Sequence, residues 1–110
     1  MILKTIEIES ERPVDIDTEI KFSIATARAD KTELLCFDVK RDEESFNRIY
    51  NAVLKVLKKM KNQGHIQFIA TPQSFANENA EAEFLINKYP DQIDNMPKYG
   101  DGEAYVFVKL

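Results

Sequence analysis

The chain has 110 residues, 44% of them apolar and 31% charged, which is the make-up of one globular domain over 1–110 that needs no metal or disulfide staple. Its single cysteine excludes an intrachain disulfide, and a formal net charge of −4 repels nucleic acid on average. The opening MILKTIEIES is too short and too charged for a signal peptide, and no apolar run reaches membrane-spanning length, so a cytoplasmic protein is expected.

Residues 2–8, ILKTIEI, read as a first strand with Ile2, Ile6 and Ile8 on one face. A polar loop containing Pro13 follows. Residues 19–28, EIKFSIATAR, alternate: Ile20, Phe22 and Ile24 point one way, and Glu19, Lys21 and Ser23 the other. That pattern predicts a half-buried strand. Residues 33–39, ELLCFDV, predict a third strand, forming a hairpin with the second. Phe46, Ile49, Tyr50, Val53, Leu54, Leu57 and Met60 then recur at spacings of three and four, the mark of an amphipathic helix. Asp42 caps its start, Lys58, Lys59 and Lys61 crowd its last turn, and Gly64 stops it.

Residues 65–70, HIQFIA, predict a fourth strand. A second helix starts at Thr71 with Pro72 in its first position, or at Ser74, and buries Phe75, Ala80, Phe84, Leu85 and Tyr89. Residues 91–103 read as a long acidic loop in which Ile93, Met96 and Tyr99 are apolar. Residues 104–110, AYVFVKL, predict a closing strand that is apolar on both faces and so lies inside the sheet. The expected class is α+β: a mixed sheet of about five strands in the order β-β-β-α-β-α-β. Both helices are expected on one face, as a two-layer sandwich, with one helix on each face as the alternative.

Between Ser45 and Asn77 the chain has no acid, while Arg48, Lys55 and Lys59 fall within about 40° of one another on the helical wheel. They form a candidate partner-binding ridge. Lysines near a helix C-terminus also answer the helix dipole, so the ridge has a purely structural reading too. Where open sheets bind ligands, they do so at the C-terminal ends of their strands. The residues expected there are Asp38, Lys40, Thr71, Gln73 and Ser74, the candidate ligand site. Cys36 and His65 are the only residues of their kinds; both fall toward the opposite ends of their strands and read as structural.

Asp38-Val39-Lys40 is an acid-any-lysine triplet, of which the composition predicts roughly two by chance. A hairpin strand ending in this triplet, then a helix and another strand, resembles part of the core of the PD-(D/E)XK nuclease superfamily over residues 19–70. The resemblance implies carboxylates that bind a divalent metal and a lysine that positions the attacking water. Its second carboxylate would come from Asp15, Asp17 or Asp30.

No catalytic constellation is complete in the sequence, and no cofactor, metal site or catalytic residue is assigned. The expected function is a small non-catalytic cytosolic protein acting by protein–protein interaction or self-association, such as an acidic inhibitor or immunity-type protein. The alternatives are a metal-dependent nuclease-like domain, or nucleic-acid binding through the basic helix. The expected partner is a protein or a second copy of the chain, with no membrane.

Overall fold

The computed structural model describes residues 2–94 and 102–110. The elements run β1 (Leu3–Glu7), α1 (Pro13–Ala29), β2 (Leu34–Lys40), α2 (Glu43–Asn62), β3 (Phe68–Ala70), α3 (Pro72–Ala76), α4 (Ala80–Lys88), α5 (Pro90–Asp94) and β4 (Glu103–Lys109). The fold is α+β with a mixed four-stranded sheet in the order β1-β2-β4-β3.

The largest departure from the sequence reading is α1. Residues 19–28, read as a strand, belong to a 17-residue helix with Pro13 in its first turn. Ile20 and Ile24 are four apart, so they share the buried face with Ile16, Ser23 and Ala27. Phe22, which completed the apparent alternation, is 72% exposed. Among the described residues the strand count is therefore four, not five, and the expected N-terminal hairpin is replaced by a β-α-β unit. In that unit β1 and β2 pair in parallel, with Leu3 opposite Leu34 and Glu7 opposite Asp38. Parallel neighbours need a long crossover, and α1 supplies it.

β4 lies inside the sheet, as its two apolar faces imply. It pairs antiparallel with β2 and with β3. The last two strands run antiparallel although helices lie between them, because the chain re-enters through the gap between β2 and β3. Backbone amides and carbonyls on both sides of that gap gain partners from the one inserted strand.

Helices α1 and α2 cover one face of the sheet, over Leu35, Phe37, Val39, Ala104, Val106 and Val108. α2 buries Phe46, Ile49, Val53, Leu57 and Met60, as the spacing predicts, and Gly64 follows it at φ +79°. The expected second helix is three short ones on the other face, so helices lie on both sides of the sheet. Thr71 caps α3 by accepting from the Ser74 amide, while the Ser74 hydroxyl accepts from the Thr71 amide. Glu78, at φ 51°, turns the chain, and the Asn79 side chain caps α4. Leu85, Tyr89, Phe75 and Ile93 pack there on Leu34, Cys36, Ala70 and Phe107. The buried Lys109 ammonium donates to the Glu33 and Leu110 carbonyls. Of the apolar residues expected in the loop 91–103, Ile93 is in α5, and Met96 and Tyr99 lie outside the described residues.

Two truncations on α1 test this orientation. Ile20→Ala is expected to cost about 3 kcal/mol in urea unfolding, as a fully buried aliphatic residue does. In dilute solution Phe22→Ala is expected to cost less than about 0.5 kcal/mol. A strand over 19–28 would make the two losses similar.

Candidate functional site

Because β1 and β2 are parallel, their C-terminal ends, the starts of α1 and α2 and the start of β4 meet at one end of the molecule. Acidic residues collect there: Glu7 on β1, Glu9 and Glu11 in the next loop, Asp15 and Asp17 in α1, and Asp38 on β2. Asp42, Glu43 and Glu44 open α2, and Glu103 opens β4. A helix N-terminus is the positive end of its dipole, so acids in the first turns are locally favoured.

The loop between β1 and α1 is tied down by side chains. Glu19 on α1 accepts from the amides of Glu9 at 3.2 Å and Ser10 at 3.1 Å. Arg41 pairs with Glu11 at 3.1 Å and donates to the Ser10 carbonyl. Arg48 donates to the Glu11 carbonyl at 2.9 Å, with its guanidinium 3.6 Å from the Glu11 carboxylate. Across the end, the Arg41 amide donates to the Gly102 carbonyl at 2.8 Å. Gly102 has φ +73°, and a Cβ there would run into the Arg41 carbonyl oxygen, so this junction requires glycine.

Asp38 and Lys40 share the sheet face that also carries Glu7, Glu103 and Tyr105, as strand alternation and register dictate. Asp38 is half-buried, and its carboxyl is pushed up to about 6. Burial is the first cause; the charges of Glu103 and Glu7 add to it, and Lys40 opposes them. A side-chain hydrogen bond with Glu103 also favours the protonated form. Among the described residues Asp38 Oδ1 is buried with no partner. Burial, followed by the Asp38 charge, likewise raises the Tyr105 phenol.

The other half of the expected ligand site stands elsewhere. Thr71 and Ser74 spend their hydroxyls on the α3 cap, and Gln73 is exposed on that helix. They follow β3, and β4 separates β3 from β2, so two strand spacings of about 4.8 Å lie between the groups. The ridge is also divided. Arg48 belongs to the acidic end through Glu11, whereas Lys55 and Lys59 lie farther along α2. With Lys58, Asn51, Leu54, Asn62 and Gln63 they line an open depression of about 540 Å³. Among the described residues Lys55, Lys58 and Lys59 form no ion pair. Cys36 is buried on β2, its thiol raised by burial and by Asp38, and His65 is exposed beyond α2.

The hairpin on which the nuclease resemblance rested is absent, since residues 19–28 are helical. Asp15 and Asp17 open α1, and Asp30 ends it beside Lys4 at 3.7 Å. The carboxylates that do neighbour Asp38 are Glu7 and Glu103, which sequence reasoning missed. Their signal was their place at the last residue of one strand and the first of another, but only the strand register connects them. Among the described residues no group of three histidine, cysteine or acidic side chains is placed to hold a metal ion, and no described helix is long and apolar enough to cross a membrane. No protein-family model, curated protein or solved structure matches the chain.

The Asp38 shift fixes a pH dependence. A carboxyl whose folded pKa lies above its unfolded value favours the fold fully below about pH 4, and that gain is lost as pH rises through about 6. Asp38→Asn is therefore expected to raise stability at pH 7 by about 1 kcal/mol, after discount for solvent screening. It should also flatten the part of the decline between pH 4 and 6 that Asp38 causes, read as urea midpoints across pH.

Proposed function

We propose that this protein acts by binding rather than by catalysis, and that its acidic end docks a cationic surface on a partner protein. The observation that carries this reading is the convergence of acidic side chains at the C-terminal ends of β1 and β2. Asp38 is held toward its protonated form first by burial, and the charges of Glu103 and Glu7 add to that. A cationic partner would relieve that repulsion, so binding and deprotonation of Asp38 would favour each other. The loop held by Glu19, Arg41 and Arg48 presents these charges on a fixed frame, which lowers the ordering cost of docking. An inhibitor that neutralises a basic protein is one form this activity takes.

Binding of a fluorescent decalysine peptide tests the proposal. At low salt the wild type is expected to bind, and Glu9→Lys with Glu44→Lys to weaken binding at least tenfold. Lys58→Glu with Lys59→Glu, at the other end of the molecule, should not weaken it. Equal affinity for all three proteins overturns the reading.

A second reading rests on the lysines around the α2 depression, which form no ion pair among the described residues and suit a phosphate-bearing partner such as nucleic acid. It predicts a salt-sensitive gel shift with single-stranded or duplex DNA or RNA, lost in Lys55→Glu with Lys59→Glu. No shift at low salt removes it.

A further inference from the structure

Helices α1 and α2 run the same way, each beginning where a strand of the parallel pair ends. Their C-termini therefore share the end of the molecule opposite the acidic one. Arg28 and Lys31 stand there at the close of α1, and Lys58, Lys59 and Lys61 at the close of α2. All are exposed, and among the described residues none forms an ion pair. The acids beside them have other partners: Asp30 pairs with Lys4, and Glu33 accepts from the Tyr89 hydroxyl at 3.5 Å. At the acidic end the pattern is reversed. Arg12, Arg41 and Arg48 are paired with Asp15 and Glu11. Glu7, Glu9, Asp42, Glu43 and Glu44 are exposed and form no ion pair among the described residues.

These opposite charges do not neutralise one another within one copy. α2 has 20 residues, which makes it about 30 Å long. That is about three Debye lengths at 0.1 M salt. A second copy brings the two ends into contact. Stacked head to tail, the acidic end of one copy meets the basic end of the next, and the helix dipoles continue in series. Turned the other way, two copies set acid against acid or base against base. The net charge of −4 opposes approach at long range. The attraction therefore acts only where the two ends touch, because near charges outweigh distant, screened ones.

We propose that copies of this chain associate head to tail, with the acidic end of one docked on the Arg28, Lys58 and Lys59 end of the next. The proposal rests on the reading of the acidic end as a docking surface, and it names a second copy as the partner. The contact is heterologous: a docked pair keeps one free end of each kind, so growth continues into open chains. Exposed charges supply the attraction, so the contact weakens steeply as salt rises.

Sedimentation equilibrium from low to high micromolar concentration, at low and at high salt, tests the association. At low salt the wild type is expected to pass twice the 12.7 kDa chain mass without a plateau there. At high salt it should return to the monomer. Glu9→Lys with Glu44→Lys alters one end, and Lys58→Glu with Lys59→Glu the other; each variant alone should associate at least tenfold more weakly. Mixed one to one, the two should regain association, since each supplies the end that the other lacks, and that recovery shows both to be folded. A wild type that stays monomeric at low salt, association that salt does not weaken, a plateau at two copies, or a mixture that does not associate each overturns the proposal. If the monomeric wild type still binds the decalysine peptide, the docking reading stands and only the second copy is removed as its partner; if it binds neither, both fall.

Discussion

Strand β2 is hydrogen-bonded along both edges, by β1 in parallel and by β4 in antiparallel, and helices cover both of its faces. Leu34, Leu35, Cys36, Phe37 and Val39 are fully buried as a result. The other elements take their places around it. Parallel pairing to β1 obliges residues 13–29 to cross the sheet, and a helix satisfies their backbone groups while crossing. Antiparallel pairing to β4 occupies the edge of β2 that β3 would otherwise take, so α2 carries the chain past one strand position before β3 forms.

This arrangement makes the charge distribution a consequence of topology. Both α1 and α2 begin where β1 and β2 end, so their N-termini share one end of the molecule and their C-termini the other. Acids in the first turns and bases in the last turns stabilise each helix singly. Since both helices run the same way, these local preferences add. The acidic end then gathers Glu7, Asp38 and Glu103 on adjacent strands, where burial and mutual repulsion raise Asp38. What serves the helices locally thus becomes, at the scale of the domain, a surface suited to a cationic partner.

Much of the fold was legible. The α2 stripe, the Thr71 cap with Pro72 after it, and the interior position of β4 each follow from local pattern. The failure at residues 19–28 has a clear cause. Ile20, Phe22 and Ile24 satisfy a two-residue period, while Ile16, Ile20 and Ile24 satisfy a helical one, and Phe22 is what gives the stretch its strand-like alternation. Phe22 is apolar without being buried, so its pattern carries no information about the core. Two residues of the expected ligand site, Asp38 and Lys40, do stand together on β2. Thr71, Gln73 and Ser74 do not join them, because the insertion of β4 is a pairing between segments far apart in sequence.

By itself the sequence determined the α+β class, the helical period of residues 43–62, the strands around Leu35 and Val106, and the imbalance of charge along the chain. Each of these depends on neighbours within a few residues, where periodicity and capping act. Tertiary structure alone decided that β1 and β2 run parallel, that β4 separates β2 from β3, and that Glu7 and Glu103 flank Asp38. It also decided which of the apolar residues on α1 enter the core and which face outward. Those outcomes depend on long-range backbone pairing and on which surface another element covers, and neither is written in any local stretch of the chain.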